Sequence, residues 1–355
     1  MDFENAKYEA VELLKRLIEI PSYSREETAV ADFLQSEIEA LGYVACRNAN
    51  NVYVKSPAFD LGKPTILLNA HLDTVKPAKS WTKDPHKATV EGDKLYGLGS
   101  NDDGASVVSL LQAFFMLTLK NQPYNLIFAA TAEEEVSGKN GVESLLADLP
   151  KIDLAVVGEP TGMQMAVAEK GLMVLDCTAH GVSGHAARDE GDNAIYKAIK
   201  DIEWVRTNSL PKVSENLGPV KMTVTMIQAG TQHNVIPDSC SFVIDVRSNE
   251  CYSNQEIYEI LKDNLQSDVV ARSFRLGSSG IDVSHPIVKR GVELGLGTFG
   301  SPALSDQALM SFASVKIGPG DSARSHSADE YICLSEIESA IKIYYELLDG
   351  LVISK

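Results

Sequence analysis

The chain has 355 residues, 44% of them hydrophobic, and a formal net charge of −17. Its length exceeds what one hydrophobic core usually holds, so two domains are expected. Its acidity argues against nucleic acid or an anionic membrane as partner, and no apolar run reaches the roughly 18 residues of a membrane span. The N-terminal "MDFENAKYEAVELL" is acidic and amphipathic, without a basic start or a cleavable apolar stretch, so the cytoplasm is the expected location. Cys46, Cys177, Cys240, Cys251 and Cys333 are scattered, form no CxxC pair and read as reduced thiols.

Residues 5–20 carry apolar positions at helical spacing. A second helix is expected from Ser24, with Glu27 completing a capping box, to Gly42. Apolar runs then alternate with helical stretches: "TILLNA", "NLIFAA", "LAVVGE" and, late in the chain, "FASVKIG". Nearly continuous apolar strands suit a sheet covered on both faces, so the pattern predicts an α/β fold with an open, mostly parallel sheet flanked by helices. Between residues 172 and 283 the order becomes β-α-β-β-α-β, the split βαβ plan of a small α+β, ferredoxin-like unit, with a capping box at Ser253 and Glu256. The α/β pattern then resumes and ends in a helix expected to be capped by Ser335 and Glu338. The organisation is a domain formed by 1–171 and 284–355, interrupted by an inserted domain at 172–283.

The strands of the larger domain run into acidic and histidine residues. "TILLNA" leads to His71 and Asp73, "NLIFAA" to Glu133, Glu134 and Glu135, and "LAVVG" to Glu159. "FASVKIG" precedes a loop with Asp321 and His326, and "LYGLGSNDDGA" sets Asp102 and Asp103 on a glycine-flanked turn. Taken singly, each has an ordinary explanation: a solvated loop, a capping pair, a structural histidine. Together they fall where ligands bind an open α/β sheet, at the carboxyl ends of its strands. Carboxylates gathered there need cations. A set of His, Asp and Glu without Cys suits zinc, manganese or cobalt in a hydrolytic site. Two divalent ions with a hydroxide neutralise Asp102, Glu135 and Glu159, whereas one ion leaves net negative charge.

On these residues the chain resembles the co-catalytic zinc deacylases and exopeptidases, a family that includes acetylornithine deacetylases, succinyl-diaminopimelate desuccinylases and aminoacylases. "HLDTV", "GLGSNDDGA", "TAEEEVSG", "GEPT", "GHAA…GDNAI", "HNVIPD" and "SHSADE" match its motifs in order over almost the whole chain. The resemblance implies a zinc-exopeptidase-like catalytic domain with an inserted lid and dimerisation domain. It implies two divalent ions, zinc first with cobalt or manganese as alternatives, held by His71, Asp102, Glu135, Glu159 and His326. Asp102 would bridge them, with His71 and Glu159 completing one set and Glu135 and His326 the other. Asp73 would orient His71, and Glu134 would act as general base. Glu133 has no assigned catalytic role. His185 would reach the partner subunit's site and stabilise the oxyanion, and Asn234 and Arg247 would bind substrate, the arginine through a carboxylate. The peptide between Asp102 and Asp103 is expected to be cis. Leu98 and Asp103-Gly104 depart from the family's usual residues, and "SADE" lacks its more usual proline, all in loops that shape the substrate pocket.

The expected activity is removal of an N-acyl group from a small amino acid, with N2-acetylornithine the preferred substrate and arginine biosynthesis the setting. The alternatives are N-succinylornithine or N-succinyl-diaminopimelate, then a dipeptide, and outside enzymes a metal-free binding or assembly module. A succinyl group carries a further carboxylate, for which Arg188, Lys170 and Arg324 are candidate cations. The expected partners are a small acylated amino acid and a second copy of the chain.

Overall fold

The computed structural model describes residues 2–188 and 190–355. The chain divides into two compact units: 1–167 with 281–299 and 305–355, and 168–280 with 300–304.

In the first unit the strand Thr65–His71 is parallel to Asn125–Thr131 on one side and to Leu154–Val157 on the other. Ser314–Lys316 extends the parallel set beyond Leu154–Val157. Asn51–Lys55 pairs antiparallel with Asn125–Thr131, and Ala45–Asn48 adds an antiparallel edge. The parallel strands are buried throughout, which explains their unbroken apolar sequence. Their side chains still alternate between two cores. Ile66, Leu68, Leu126 and Phe128 pack with the helices Phe3–Ile18, Thr28–Ala40, Ala105–Thr118 and Leu334–Leu348. Leu67, Ile127 and Ala129 face Val142 and Leu145 of the helix Val142–Asp148 and Met310. Each large apolar side chain buried this way contributes about 1.5–3 kcal/mol, so the register that opposes His71 to Thr131 is firmly held.

Two expected caps are corrected. The second helix begins at Thr28, not Ser24, because Ser24 and Glu27 are used elsewhere: the Ser24 hydroxyl donates to Asp73, and the Glu27 carboxylate accepts from Arg25 N, Glu133 N and Asn50 Nδ2. The last helix starts at Leu334, where Glu336 accepts from Cys333 N, while Ser335 bonds to Asp93.

In the second unit a four-stranded antiparallel sheet has the order Lys221–Ala229, Ser239–Arg247, Met173–His180, Asp268–Ala271. The helices Ala194–Thr207 and Asn254–Asn264 give it the β-α-β-β-α-β order read from the sequence, and the Ser253–Glu256 capping box is present. A separate hairpin pairs Gly184–His185 with Val235–Ile236. No helix among the described residues is long and apolar enough to cross a membrane.

Candidate metal centre

The parallel register brings the ends of three strands level, and the turns after them converge. His71 closes the strand Thr65–His71 with its ring buried. Its Nδ1 donates to the carbonyl oxygen of Asp73 at 2.8 Å, which turns Nε2 toward Asp102 Oδ1 at 3.1 Å. Asp102 sits in the distorted helical turn Ser100–Gly104, and its peptide bond to Asp103 is cis. The other Asp102 oxygen, Oδ2, lies 3.7 Å from Nε2 of His326. One carboxylate thus faces a different histidine with each oxygen.

His326 Nε2 also lies 3.0 Å and 2.9 Å from the two oxygens of Glu135. The side chains of Asp102 and Glu135 are only 10% and 8% exposed, whereas His326 is 54% exposed. Glu159 follows the strand Leu154–Val157 across Gly158, where a Cβ would come within 2.4 Å of Ser106 Cβ. Two overlapping groups have ligand atoms within 4.8 Å of one another: His71, Glu134 and Glu159, and His71, Asp102 and Glu135.

The electrostatics are those of a cation site. Burial, reinforced by neighbouring carboxylates, holds Glu134 and Glu159 well above the usual carboxylate range, and burial also raises Glu135. Burial opposes a charged His71, but Asp102, Glu134 and Asp103 outweigh it and hold the imidazole well above its ordinary value. Burial likewise works against Asp102 ionisation, yet its bond to His71 keeps that carboxyl below the usual range. A set that binds protons this strongly at one end, with only nitrogen and oxygen donors, fits two divalent ions, whose entry displaces those protons.

The three glutamates after Asn125–Thr131 are separated by the backbone. Glu133 takes a left-handed conformation and turns inward, where its carboxylate accepts from Asn140, closing the loop. Glu134 and Glu135 point into the cluster from a single 3₁₀ turn. Asp73 meets the second ring nitrogen of His71 twice: its carbonyl oxygen accepts from Nδ1 at 2.8 Å, and its carboxylate Oδ1 lies 3.6 Å from the same nitrogen. The carboxylate accepts from Ser24 Oγ, Glu134 N and Glu135 N. Asp321 does not join the cluster, because its side chain caps Ala323 N.

Several residues around the cluster were given no role by the sequence, although Asn101 and Glu330 lie within the motifs "GLGSNDDGA" and "SHSADE". Glu330, 2% exposed, accepts from the backbone N–H groups of Gly99, Asn101 and Asp102. Asn101, fully buried, joins that turn to the loop of His326. Asp306 reaches between the strand ends and accepts from Thr131 Oγ1 and Asn69 Nδ2.

In the second unit, His185 and Asn234 are neighbours on the small hairpin: His185 is opposite Val235, and Ala186 N donates to the Asn234 carbonyl. Arg247 ends a different strand, where its guanidinium bonds through Nε and Nη2 to Asp245.

An α/β sheet that gathers histidine and carboxylate ligands at its strand ends, with a smaller inserted β-rich unit, defines a metal-dependent hydrolase of two-domain type. The chain belongs to peptidase family M20/M25/M40, whose sequence profile matches residues 67–350. It is 27% identical to a [LysW]-lysine/[LysW]-ornithine hydrolase of Sulfurisphaera tokodaii, covering 100% of this chain and 99% of that one. It is 25% identical to a succinyl-diaminopimelate desuccinylase of Wolbachia pipientis wMel, covering 97% and 94%. Among solved structures, aminopeptidase PepT from Bacillus cereus superposes with a TM-score of 0.77 at 17% identity, covering 97% and 98% of the two chains.

Proposed function

We propose that the protein is a desuccinylase-type amidohydrolase that releases succinate and a free amine from an N-succinyl amino acid. One observation carries this choice over the N2-acetylornithine expected above: the chain spans nearly the full length of several relatives named succinyl-diaminopimelate desuccinylases. The [LysW]-lysine/[LysW]-ornithine hydrolase, matched over 99% of its length, favours a second reading in which the substrate is a lysine or ornithine conjugate.

His71, Asp102, Glu135, Glu159 and His326 are the proposed ligands, with Asp102 as the bridge. The division of its two oxygens between His71 and His326 supports that role. When bound, two divalent ions supply positive charge to the cleft and make a water acidic near neutral pH. Glu134 takes the proton of the attacking water. As the amide C–N bond breaks, the same carboxyl returns the proton to the leaving nitrogen, so that succinate and amine depart. Asp73 fixes Glu134 by accepting from its backbone N–H at 2.9 Å. His185 is proposed to stabilise the oxyanion from a second copy of the chain, with the inserted unit as lid and dimerisation domain, and Asn234 and Arg247 to hold the amino-acid part.

The succinyl carboxylate requires a cation. Arg324 is already engaged in a two-pronged bond with Glu336 and stacked on Tyr331. Among the described residues, the Arg188 guanidinium makes a long, exposed contact with Glu190 at 3.7 Å, and Lys170 has no ion pair. These two are the proposed binders.

The test is amine release by the zinc-loaded protein from N-succinyl-diaminopimelate, N-succinylornithine, N2-acetylornithine and a dipeptide, with Lys170→Met and Arg188→Met beside the parent. The expected result is a higher kcat/KM on a succinyl substrate and a raised KM for it in at least one variant. Faster turnover of the acetyl compound would overturn the reading.

A further inference from the structure

Two buried side chains outside the ligand set tie together the segments that carry Asp102 and His326. Glu330 places one carboxylate over the turn at residues 99–102: Oε1 accepts from Asn101 N at 2.8 Å and Asp102 N at 2.9 Å, and Oε2 from Gly99 N at 3.1 Å. Its backbone carbonyl accepts from Gly97 N at 3.1 Å, so side chain and main chain of one residue grip the same turn. Asn101 spans the gap in the other direction. Its Nδ2 donates to the Asp321 carbonyl at 3.1 Å and to Ser325 Oγ at 3.3 Å, and its Oδ1 accepts from Asp321 N at 3.0 Å. The amide is thus used on both sides and fixes the loop one residue before His326.

The loop has been shaped to receive that amide. Gly320 has a φ of +89°, and a Cβ there would stand 2.3 Å from Asn101 Oδ1. A side chain at 320 would occupy the space Asn101 needs, and the left-handed backbone would disfavour it independently. Asn101 is fully buried and its partners lie 220 or more residues along the chain, so the contact is a tertiary device, not a local turn.

The two ligand sets depend on this device unequally. His71 and Glu159 sit at the ends of central strands, held by the sheet itself. His326 sits on a loop, is 54% exposed, and has its position set by what anchors that loop. We infer that Asn101 and Glu330 are positioning residues that set the spacing of Asp102 and His326; because His326 serves one ion alone whereas Asp102 serves both, they govern the ion subsite of Glu135 and His326 more strongly than that of His71 and Glu159. The inference rests on the two-ion reading of the centre.

The test is titration of the chelator-stripped protein with Co²⁺, followed by calorimetry and by the visible absorption of each bound ion, without substrate. The parent should take two ions. Asn101→Ala should bind the first with nearly parental affinity and the second about 10–100-fold more weakly, with the larger change in absorption for that ion. Ser325→Ala, which removes one acceptor of the amide together with the hydroxyl's own bond to Asp102, should shift the second ion in the same direction. It also serves if Asn101→Ala loses its melting transition when stripped. Unchanged second-ion binding in a folded Asn101→Ala, or in Ser325→Ala where that variant alone folds, overturns the inference. So does equal weakening of both ions. A parent that binds a single ion instead sinks the two-ion reading itself.

Discussion

Asp73 meets the His71 ring more closely through its main chain than through its carboxylate: Nδ1 donates to the carbonyl oxygen at 2.8 Å, while Oδ1 lies 3.6 Å away, at ion-pair distance. The carboxylate is occupied by Glu134 N, Glu135 N and Ser24 Oγ. Asp73 therefore orders the base and one ligand through their backbone, and makes its shortest contact with the histidine through its own main chain. Asp73→Asn keeps the shape but turns one of the two acceptor oxygens into a donor, which then faces the N–H of Glu134 or that of Glu135. It is expected to lower kcat about 10–100-fold. Ser24→Ala removes one donor and should cost about 1 kcal/mol of stability with a small effect on kcat. Steady-state kinetics and thermal melts of both variants check this.

Glu134→Gln should retain both ions and lose about 10²–10⁴ in kcat, because it removes the proton acceptor and leaves the proposed ligands untouched. Metal analysis beside kinetics distinguishes this from loss of a ligand. A variant that loses an ion would instead make Glu134 a ligand, an arrangement its proximity to His71 and Glu159 permits.

Stability of the chelator-stripped protein should fall as pH rises. Burial pushes Asp306 up to about 6 and Glu330 up to about 7. Both values exceed the unfolded carboxyl range near 4, so the folded state binds the extra protons. Their contribution is complete below that range and is lost as pH rises through 6 and 7. The melting temperature should decline between pH 5 and 8, and Asp306→Asn should flatten the part near pH 6. An unchanged slope in that variant would contradict the assignment.

Gly318→Ala should destabilise by about 1–3 kcal/mol and weaken metal binding. Its Cβ would lie 2.5 Å from the Glu159 carbonyl oxygen and 2.7 Å from Ser106 Oγ, so the Glu159 strand end must move. Denaturant titration and metal affinity measure the two effects.

His185→Ala is expected to impair turnover without changing metal content. Mixed with Asp102→Ala, it should recover part of the activity if the histidine serves a second copy's site. Proven subunit exchange without recovery would place its role within its own chain.

The parallel sheet and the inserted β-α-β-β-α-β unit were legible because hydrophobic period and strand length are local properties, which "TILLNA" and "NLIFAA" express within a few residues. His71, Glu134, Glu135 and Glu159 were legible for the same reason, since each ends or closely follows a strand, whereas Asp102 and His326 lie on a turn and a loop and were legible through the motifs around them. Helix caps were less so. Ser24 and Glu27 have the spacing of a cap, but Asp73 and Glu133 compete for them from distant parts of the chain.

By itself the sequence determined which side chains arrive at the strand ends and that their charge calls for cations. The tertiary structure alone decided how they are held: Glu330 bonded to the N–H groups of the Asp102 turn, Asn101 between that turn and the His326 loop, Asp306 between two strand ends. These bonds join residues separated by well over a hundred positions, and a hydrogen bond depends on distance and direction in space. No periodicity or spacing along the chain records it.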